Sequence, residues 1–320
     1  MRHLPPTLLL ALVLAALSAC AAGQRARPLD EVRLQLKWQH QFQFAGYYAA
    51  QEKGFYREAG LSVSLLTPDG GEDPAQAVLD GRAEYGIGTS DLLLLRARGY
   101  PVVALAPVFQ HSPLVLLASA REGIESVHDL AGRSLALEPQ AAEIEAYLER
   151  EGLALSALTL AGHDGGVAAL LDGRVAAMSA YSTDEPFALK AAGFDYRLFS
   201  PRSGGIDFYG DTLFTTEAEI LAHPARVRAF RTASLKGWRY ALDHPEEIIE
   251  LILARYGTRH SREHLAFEAR ETRRLIAPEA VPLGHLNPGR WQHIAQTYAG
   301  LGLMPAGVSL AGFLYPPALR

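Results

Sequence analysis

The chain has 320 residues, 49% of them apolar, and a net charge of −5 from 35 acidic and 30 basic side chains. That balance, with no basic cluster, argues against nucleic-acid binding. A single cysteine excludes an internal disulfide framework, so hydrophobic cores must hold the fold. Arg2 and His3 open the chain, and residues 8–17 are almost wholly Leu, Ala and Val. The run is too short to span a bilayer, which takes ~20 apolar residues. It ends in Leu17-Ser18-Ala19-Cys20. A charged start, a short apolar core and a small-residue cleavage site form the pattern of an export signal over residues 1–19. No second long apolar run follows.

Residues 20–30 read as a small, polar tether. About 300 residues remain, more than the roughly 100–200 of a common domain, so two domains are expected. Residues 32–36 alternate as a strand does, and 37–44 form a loop. A helix over 45–58 closes at Gly60. Strands over 61–66, 84–88, 102–109 and 114–118 alternate with helices over 75–79 and 91–98. A similar unit begins again with strands over 134–138, 159–161 and 174–181, and helices over 141–151, 167–171 and 185–192. The string Leu79-Asp80-Gly81-Arg82-Ala83 has a counterpart in Leu171-Asp172-Gly173-Arg174-Val175. Each reads as one helix-to-strand turn used once per lobe. From Pro224 the pattern turns helical, over 226–242, 245–256, 261–275 and 288–299. The expected fold is α/β, with two similar lobes and C-terminal helices returning to the first.

Leu-Ser-Ala-Cys resembles the bacterial lipoprotein box. The resemblance implies lipid on Cys20, and an anchored protein in the periplasm or at the cell surface. The strings Trp38-Gln39-His40-Gln41-Phe42-Gln43-Phe44-Ala45-Gly46-Tyr47-Tyr48, Lys53-Gly54-Phe55-Tyr56, Gly86-Ile87-Gly88, Phe109-Gln110-His111-Ser112-Pro113, Tyr181-Ser182-Thr183-Asp184-Glu185-Pro186, Gly205-Ile206-Asp207-Phe208-Tyr209-Gly210-Asp211 and Gly237-Trp238-Arg239-Tyr240-Ala241 carry a second likeness. Together they resemble the thiamine-pyrimidine-synthase-like family of periplasmic solute-binding proteins, over about residues 31–315. That resemblance implies a type II periplasmic binding protein fold, each lobe a mixed sheet flanked by helices, with two crossover strands. Residues 31–110 plus 212–320 would make lobe 1 and 111–211 lobe 2. The ligand would be a small heterocycle such as a thiamine pyrimidine precursor. The partner would be the permease of an ABC importer, or a membrane sensor. The aromatic-rich strings look more like the sensor-fused members.

Ligands of open α/β sheets sit outside the carboxyl ends of strands. Trp38, just after the first strand, is placed to offer a ring face, and Tyr48 is a second candidate. Phe42, Phe44 and Tyr47 read as core. Glu185 can accept from an amino group or cap a helix, with Thr183 or Asp184 as alternative caps. Ser90 and Asp91 have the same ambiguity, with capping favoured. Gln110, Tyr181, Asp207 and Tyr209 complete the candidate set near the crossings. His40, His111 and His163 read as surface or loop residues. No His pair has ligand spacing together with a third ligand, so no metal is expected. No cofactor is expected either. The fungal synthase branch binds pyridoxal phosphate on a lysine and consumes a histidine, and those positions match Gly88 and Leu92 here. The chain is therefore expected to bind rather than catalyse, as a monomer, touching membrane through lipid only.

Overall fold

A computed structural model describes residues 28–68, 73–163 and 165–316. Cys20, the leader and most of the tether lie outside the described residues. Among those described, no helix is long and apolar enough to cross a membrane. The strands gather into two five-stranded mixed sheets. The first is ordered β2 (Leu61–Leu66), β1 (Asp30–Gln35), β3 (Tyr85–Gly88), β10 (Thr212–Thr216), β4 (Val102–Pro107). The second is ordered β7 (Thr159–Gly162), β6 (Ser134–Leu137), β8 (Ala177–Tyr181), β5 (Leu114–Ser119), β9 (Tyr196–Phe199).

The two sheets are built alike. Three parallel strands come first, β2-β1-β3 in one and β7-β6-β8 in the other. An antiparallel strand then docks on the third, β10 on β3 and β5 on β8. Each docking strand arrives from the other lobe, so the chain crosses twice. The repeated string closes alike in both lobes. Arg82 N–H donates to Ala77 O and Arg174 N–H to Ala169 O, each at 2.9 Å. Gly81 and Gly173 take φ of 72° and 69°, a left-handed turn that a Cβ would penalise.

The crossings run side by side. Val108 N–H donates to Asp211 O at 2.8 Å, Gly210 N–H to Phe109 O at 3.1 Å, and Ser112 N–H to Phe208 O at 3.0 Å. The helix Pro288–Gly300 braces them. Its Trp291 packs on Tyr209 and its Tyr298 edge-on to Phe208.

Two sequence expectations need correction. The helix over 45–58 parts at Lys53-Gly54 into Ala45–Glu52 and Phe55–Glu58, because Gly54 enters the left-handed region. Strands β9 and β10 and the helix Glu217–Ala222 were not anticipated. The strand β10, Thr-Leu-Phe-Thr-Thr, is central to its sheet, but five residues ending on a helix cap carry little period of their own.

The helix Pro224–Asp243 buries Val227, Phe230, Ala233, Ser234, Gly237, Trp238 and Ala241, a stripe of helical period. That stripe packs on Ala45–Glu52 at close range. A Cβ on Gly237 would stand 2.1 Å from Gly46 O, and one on Gly46 2.1 Å from the Trp238 ring. This contact fixes the start of Ala45–Glu52, and with it the loop that lines the cleft. Neither glycine has room for a methyl group. Gly237→Ala is expected to destabilise the protein by about 1–3 kcal/mol, as overpacking does. Urea unfolding checks it, and an unchanged midpoint would contradict this packing.

Candidate functional site

The cleft between the lobes holds a cavity of about 480 Å³. The first lobe contributes residues 37–43, which leave the carboxyl end of β1, with Pro68, Asp73 and Pro74. The second contributes Glu138 and Gln140 after β6, His163 and Gly165 after β7, and Tyr181, Asp184 and Glu185 where β8 enters the helix Glu185–Ala191. All these wall segments leave strand ends, where α/β sheets leave backbone free to meet a ligand.

Trp38 reaches across the cleft from one lobe to the other. A Cβ on Gly165 would lie 2.6 Å from the far edge of its indole, so the ring rests on bare backbone. Arg259 Nη2 holds that backbone by donating to Gly165 O at 3.2 Å. At the floor, Lys37 Nζ donates to the hydroxyl of Tyr181. Tyr181 in turn faces Asp211 Oδ1 at 3.5 Å, and Gln43 Nε2 donates to Asp211 Oδ2 at 2.7 Å. Gln41 Nε2 supports Gln43 Oε1 at 2.8 Å. One polar chain thus ties both lobes to the second crossing.

Burial pushes the Asp211 carboxyl up to about 6, although Lys37 pulls the other way. Glu138 is also raised by burial, opposed by Lys37 and His163. Glu185 is pushed well up, first by burial and then by the charge of Asp184. Its Oε2 accepts from Tyr181 N–H at 2.8 Å, closing the end of β8 on itself. His163 takes Gly165 N–H on Nδ1 at 3.0 Å, leaving its Nε2–H for Ser179 O at 2.9 Å. Those two bonds fix the orientation of the ring. Two buried acceptors in the wall, Glu138 Oε1 and Gln140 Oε1, meet no hydrogen-bond donor. Such orphans are costly and few in a folded protein, and a ligand's N–H groups would satisfy them.

Of the sequence candidates, Trp38, Tyr181 and Glu185 line this cavity. Six others do not. Tyr48 is fully buried, stacks near Tyr256 and meets His40 Nδ1 at 3.0 Å. Ser90 donates to Tyr209 O at 2.9 Å and caps nothing. Asp91 accepts from Tyr298 at 2.8 Å, beside a separate cavity of about 240 Å³. Gln110 donates to Pro107 O at 2.9 Å within the crossing. Asp207 meets His111 Nδ1 at 2.7 Å and Arg290 at 3.1 Å, and Tyr209 accepts from Asn287 N–H at 3.3 Å. All but Tyr48, which packs inside the first lobe, brace the crossings and their supports. Nor does Asp184 cap its helix; its carboxylate faces His264 at 2.9 Å. His163 lines the cleft and His111 sits at the crossing, so neither is a bystander.

Lys37, Glu138 and Gln140 were overlooked. Lys37 and Glu138 stand directly beyond β1 and β6, the equivalent strands of the two lobes. Matching the carboxyl ends of the repeated strands would have found both.

Residues 41–248 match the family described as NMT1/THI5 like. The chain belongs to that family. The chain is 27% identical over 250 residues to the riboflavin-binding protein RibY of Chloroflexus aurantiacus, covering 75% of this chain and 70% of that protein. It is 26% identical over 255 residues to the formylaminopyrimidine-binding protein of Halalkalibacterium halodurans, covering 77% of each. Among solved structures, the alkanesulfonate-binding protein SsuA of Xanthomonas axonopodis pv. citri, bound to MOPS, superposes with a TM-score of 0.67. That match covers 91% of this chain and 99% of that one at 14% identity. This NMT1/THI5-like protein thus has the two-lobed periplasmic binding protein fold.

The raised Asp211 has a pH signature. Its folded pKa of about 6 exceeds the ordinary 3.8. Between those values the folded state holds a proton that the unfolded chain has lost. Stability from this group is present below about pH 4 and is lost as pH rises to about 6. The loss amounts to about 3 kcal/mol at most, at ~1.4 kcal/mol per pH unit. Asp211→Asn removes the titration, so the stability difference between variant and wild type should shift in the variant's favour across that window. Urea unfolding at several pH values reads it, and a flat difference would contradict the raised carboxyl.

Proposed function

We propose that this protein is a lipid-anchored solute-binding protein. It takes a small, flat nitrogen heterocycle of the aminopyrimidine class between its lobes and delivers it to an ABC importer. The observation that carries this reading is the pair of orphaned acceptors, Glu138 Oε1 and Gln140 Oε1, in the cleft that Trp38 bridges. An aminopyrimidine brings N–H donors in the plane of its ring and a π-face for an indole. Acceptors at the edge and an aromatic at the face match it on both counts.

Charge argues for the same class. Asp73, Glu138, Asp184 and Glu185 line the cavity, against Lys37 as its lysine. A sulfonate would be repelled by any of these carboxyls that is ionised, whereas a neutral, donor-rich ring would find hydrogen-bond acceptors in them. Two of the relatives, matched over three quarters of the chain, are named for flat nitrogen heterocycles, riboflavin and formylaminopyrimidine, whereas the relatives named as synthases match over about a third of it. Catalysis has less support. Gly88 and Leu92, which the resemblance matches to the synthase lysine and histidine, offer no amine and no imidazole, and Leu92 is buried.

A thermal-shift screen tests the reading, with hydroxymethylpyrimidine, formylaminopyrimidine, thiamine, riboflavin, purines, taurine and alkanesulfonates. Binding at a hundredfold excess over Kd stabilises by about 2.7 kcal/mol. A pyrimidine should raise Tm, and Trp38→Ala and Glu138→Ala should each weaken binding by about tenfold or more, ~1.4 kcal/mol. A sulfonate response without a pyrimidine response would overturn the ligand class. No response from folded, ligand-free protein would favour the sensing alternative, in which the same cleft reports to a membrane partner. Anchoring is read separately: the wild type should fractionate with membranes and Cys20→Ser should not.

A further inference from the structure

Beside the cleft lies a constellation of four buried residues, of which Asp184 alone also lines the cavity. Asp184 of the second lobe meets His260, His264 and Glu268 of the first. The last three recur every four residues into the helix Arg262–Ile276 and so share one face. Each of the four is 8% exposed or less. One potential ligand atom from each lies within 4.8 Å of the others, the one such group among the described residues.

The details resemble a metal site's inner and outer shells. His264 Nε2 stands 2.9 Å from Asp184 Oδ1, and His260 Nε2 stands 3.7 Å from the same oxygen. Those spacings bracket the ~3.3 Å edge of a tetrahedron with bonds of ~2.0–2.1 Å. The two imidazoles stack 3.9 Å apart at 5°, so a modest tilt would turn both Nε2 lone pairs onto one ion. His260 Nδ1 faces Glu268 Oε1 at 3.0 Å, and Glu268 Oε2 is held by Phe42 N–H at 2.7 Å. A carboxylate on the far nitrogen is how metal-binding histidines are commonly oriented. His264 Nε2 also lies 3.2 Å from Asp184 O, and Arg259 Nε donates to His260 Nε2 at 3.4 Å. An ion would replace both contacts.

We propose that Asp184, His260 and His264 bind a divalent transition metal of the zinc class, with Glu268 as the positioning residue for His260. Imidazole and carboxylate donors suit such an ion, and three protein ligands leave one position open. Because Asp184 comes from one lobe and the histidines from the other, the ion would staple the lobes together. The inference stands apart from the heterocycle, and its assay contains none.

The test uses the full chain with Cys20→Ser, so that the lone thiol cannot compete. It is stripped with chelator and titrated with Zn²⁺ alone by calorimetry and by thermal melting. One zinc per chain and a rise in Tm are expected. His260→Gln and His264→Gln should each weaken binding by about tenfold or more, and Glu268→Gln by about tenfold through loss of orientation. Lowering the pH from about 7.5 to about 6 should weaken it further, as protons compete for the imidazoles. Should the variants unfold, Co²⁺ decides on the Cys20→Ser protein, by showing or failing to show the intense visible bands of a four-coordinate centre. No saturable uptake, or binding unchanged in the His260→Gln/His264→Gln double variant, would overturn the site. The four residues would then be a purely hydrogen-bonded seam.

Discussion

Charge and hydrogen bonds are buried where the two lobes meet, and the rest of the molecule is arranged around that seam. Lys37, Tyr181, Asp211 and Gln43 form a single polar chain from one lobe, through the other, to the second crossing. A carboxylate taken out of water without partners is costly, so Asp211 is tolerable only while Gln43 and Tyr181 face it. Those partners come from both lobes. The closed arrangement therefore satisfies groups that separation of the lobes would leave to water. Glu138 and Gln140 are the places where satisfaction is left unfinished. A binding protein needs this combination: closure that is nearly self-sufficient, with the remaining partners supplied by the ligand.

The scaffold divides the labour. Two crossings paired by backbone hydrogen bonds, and braced by Trp291 and Tyr298, form a narrow joint. Asp207, held between His111 and Arg290, locks that joint on its outer side. Burial alone would raise the Asp207 carboxyl, but the His111 hydrogen bond and the Arg290 charge hold it below the ordinary range. Polar groups thus do different work a few residues apart. Asp207 is ionised and structural, whereas Asp211 sits near neutrality at the floor of the cleft. Closure about such a joint is a hinge motion.

Much of this was legible in the sequence, and the failures have physical causes. Alternating strands and helices, the paired Leu-Asp-Gly-Arg strings and the late helical run carry the fold, because periodicity and turn glycines are local. Strand β10 was not legible, since its place at the sheet centre comes from pairing with β3 and β4 rather than from its own five residues. Site residues divided the same way. Trp38, Tyr181 and Glu185 follow strand ends and reach the cavity. Tyr48 reads as a ring face, Ser90 and Asp91 as a helix start, and Gln110, Asp207 and Tyr209 as groups near the crossings, but each finds a partner inside the protein first. The group of Asp184, His260, His264 and Glu268 was passed over because its fourth member comes from the other lobe, across seventy-odd residues. The four-residue spacing of the other three was the available signal.

Lobe closure on a heterocycle is the central claim, and an interlobe distance measures it directly. Leu221 in the first lobe and Leu160 in the second are 82% and 54% exposed, so both accept a spin label without disturbing a core. With Cys20→Ser, Leu160→Cys and Leu221→Cys, pulsed dipolar spectroscopy gives the distance distribution with and without hydroxymethylpyrimidine. If the proposed heterocycle binds between the lobes, it should narrow the distribution to a single closed distance, and Glu138→Ala should blunt that change. An identical distribution at saturating ligand would contradict it.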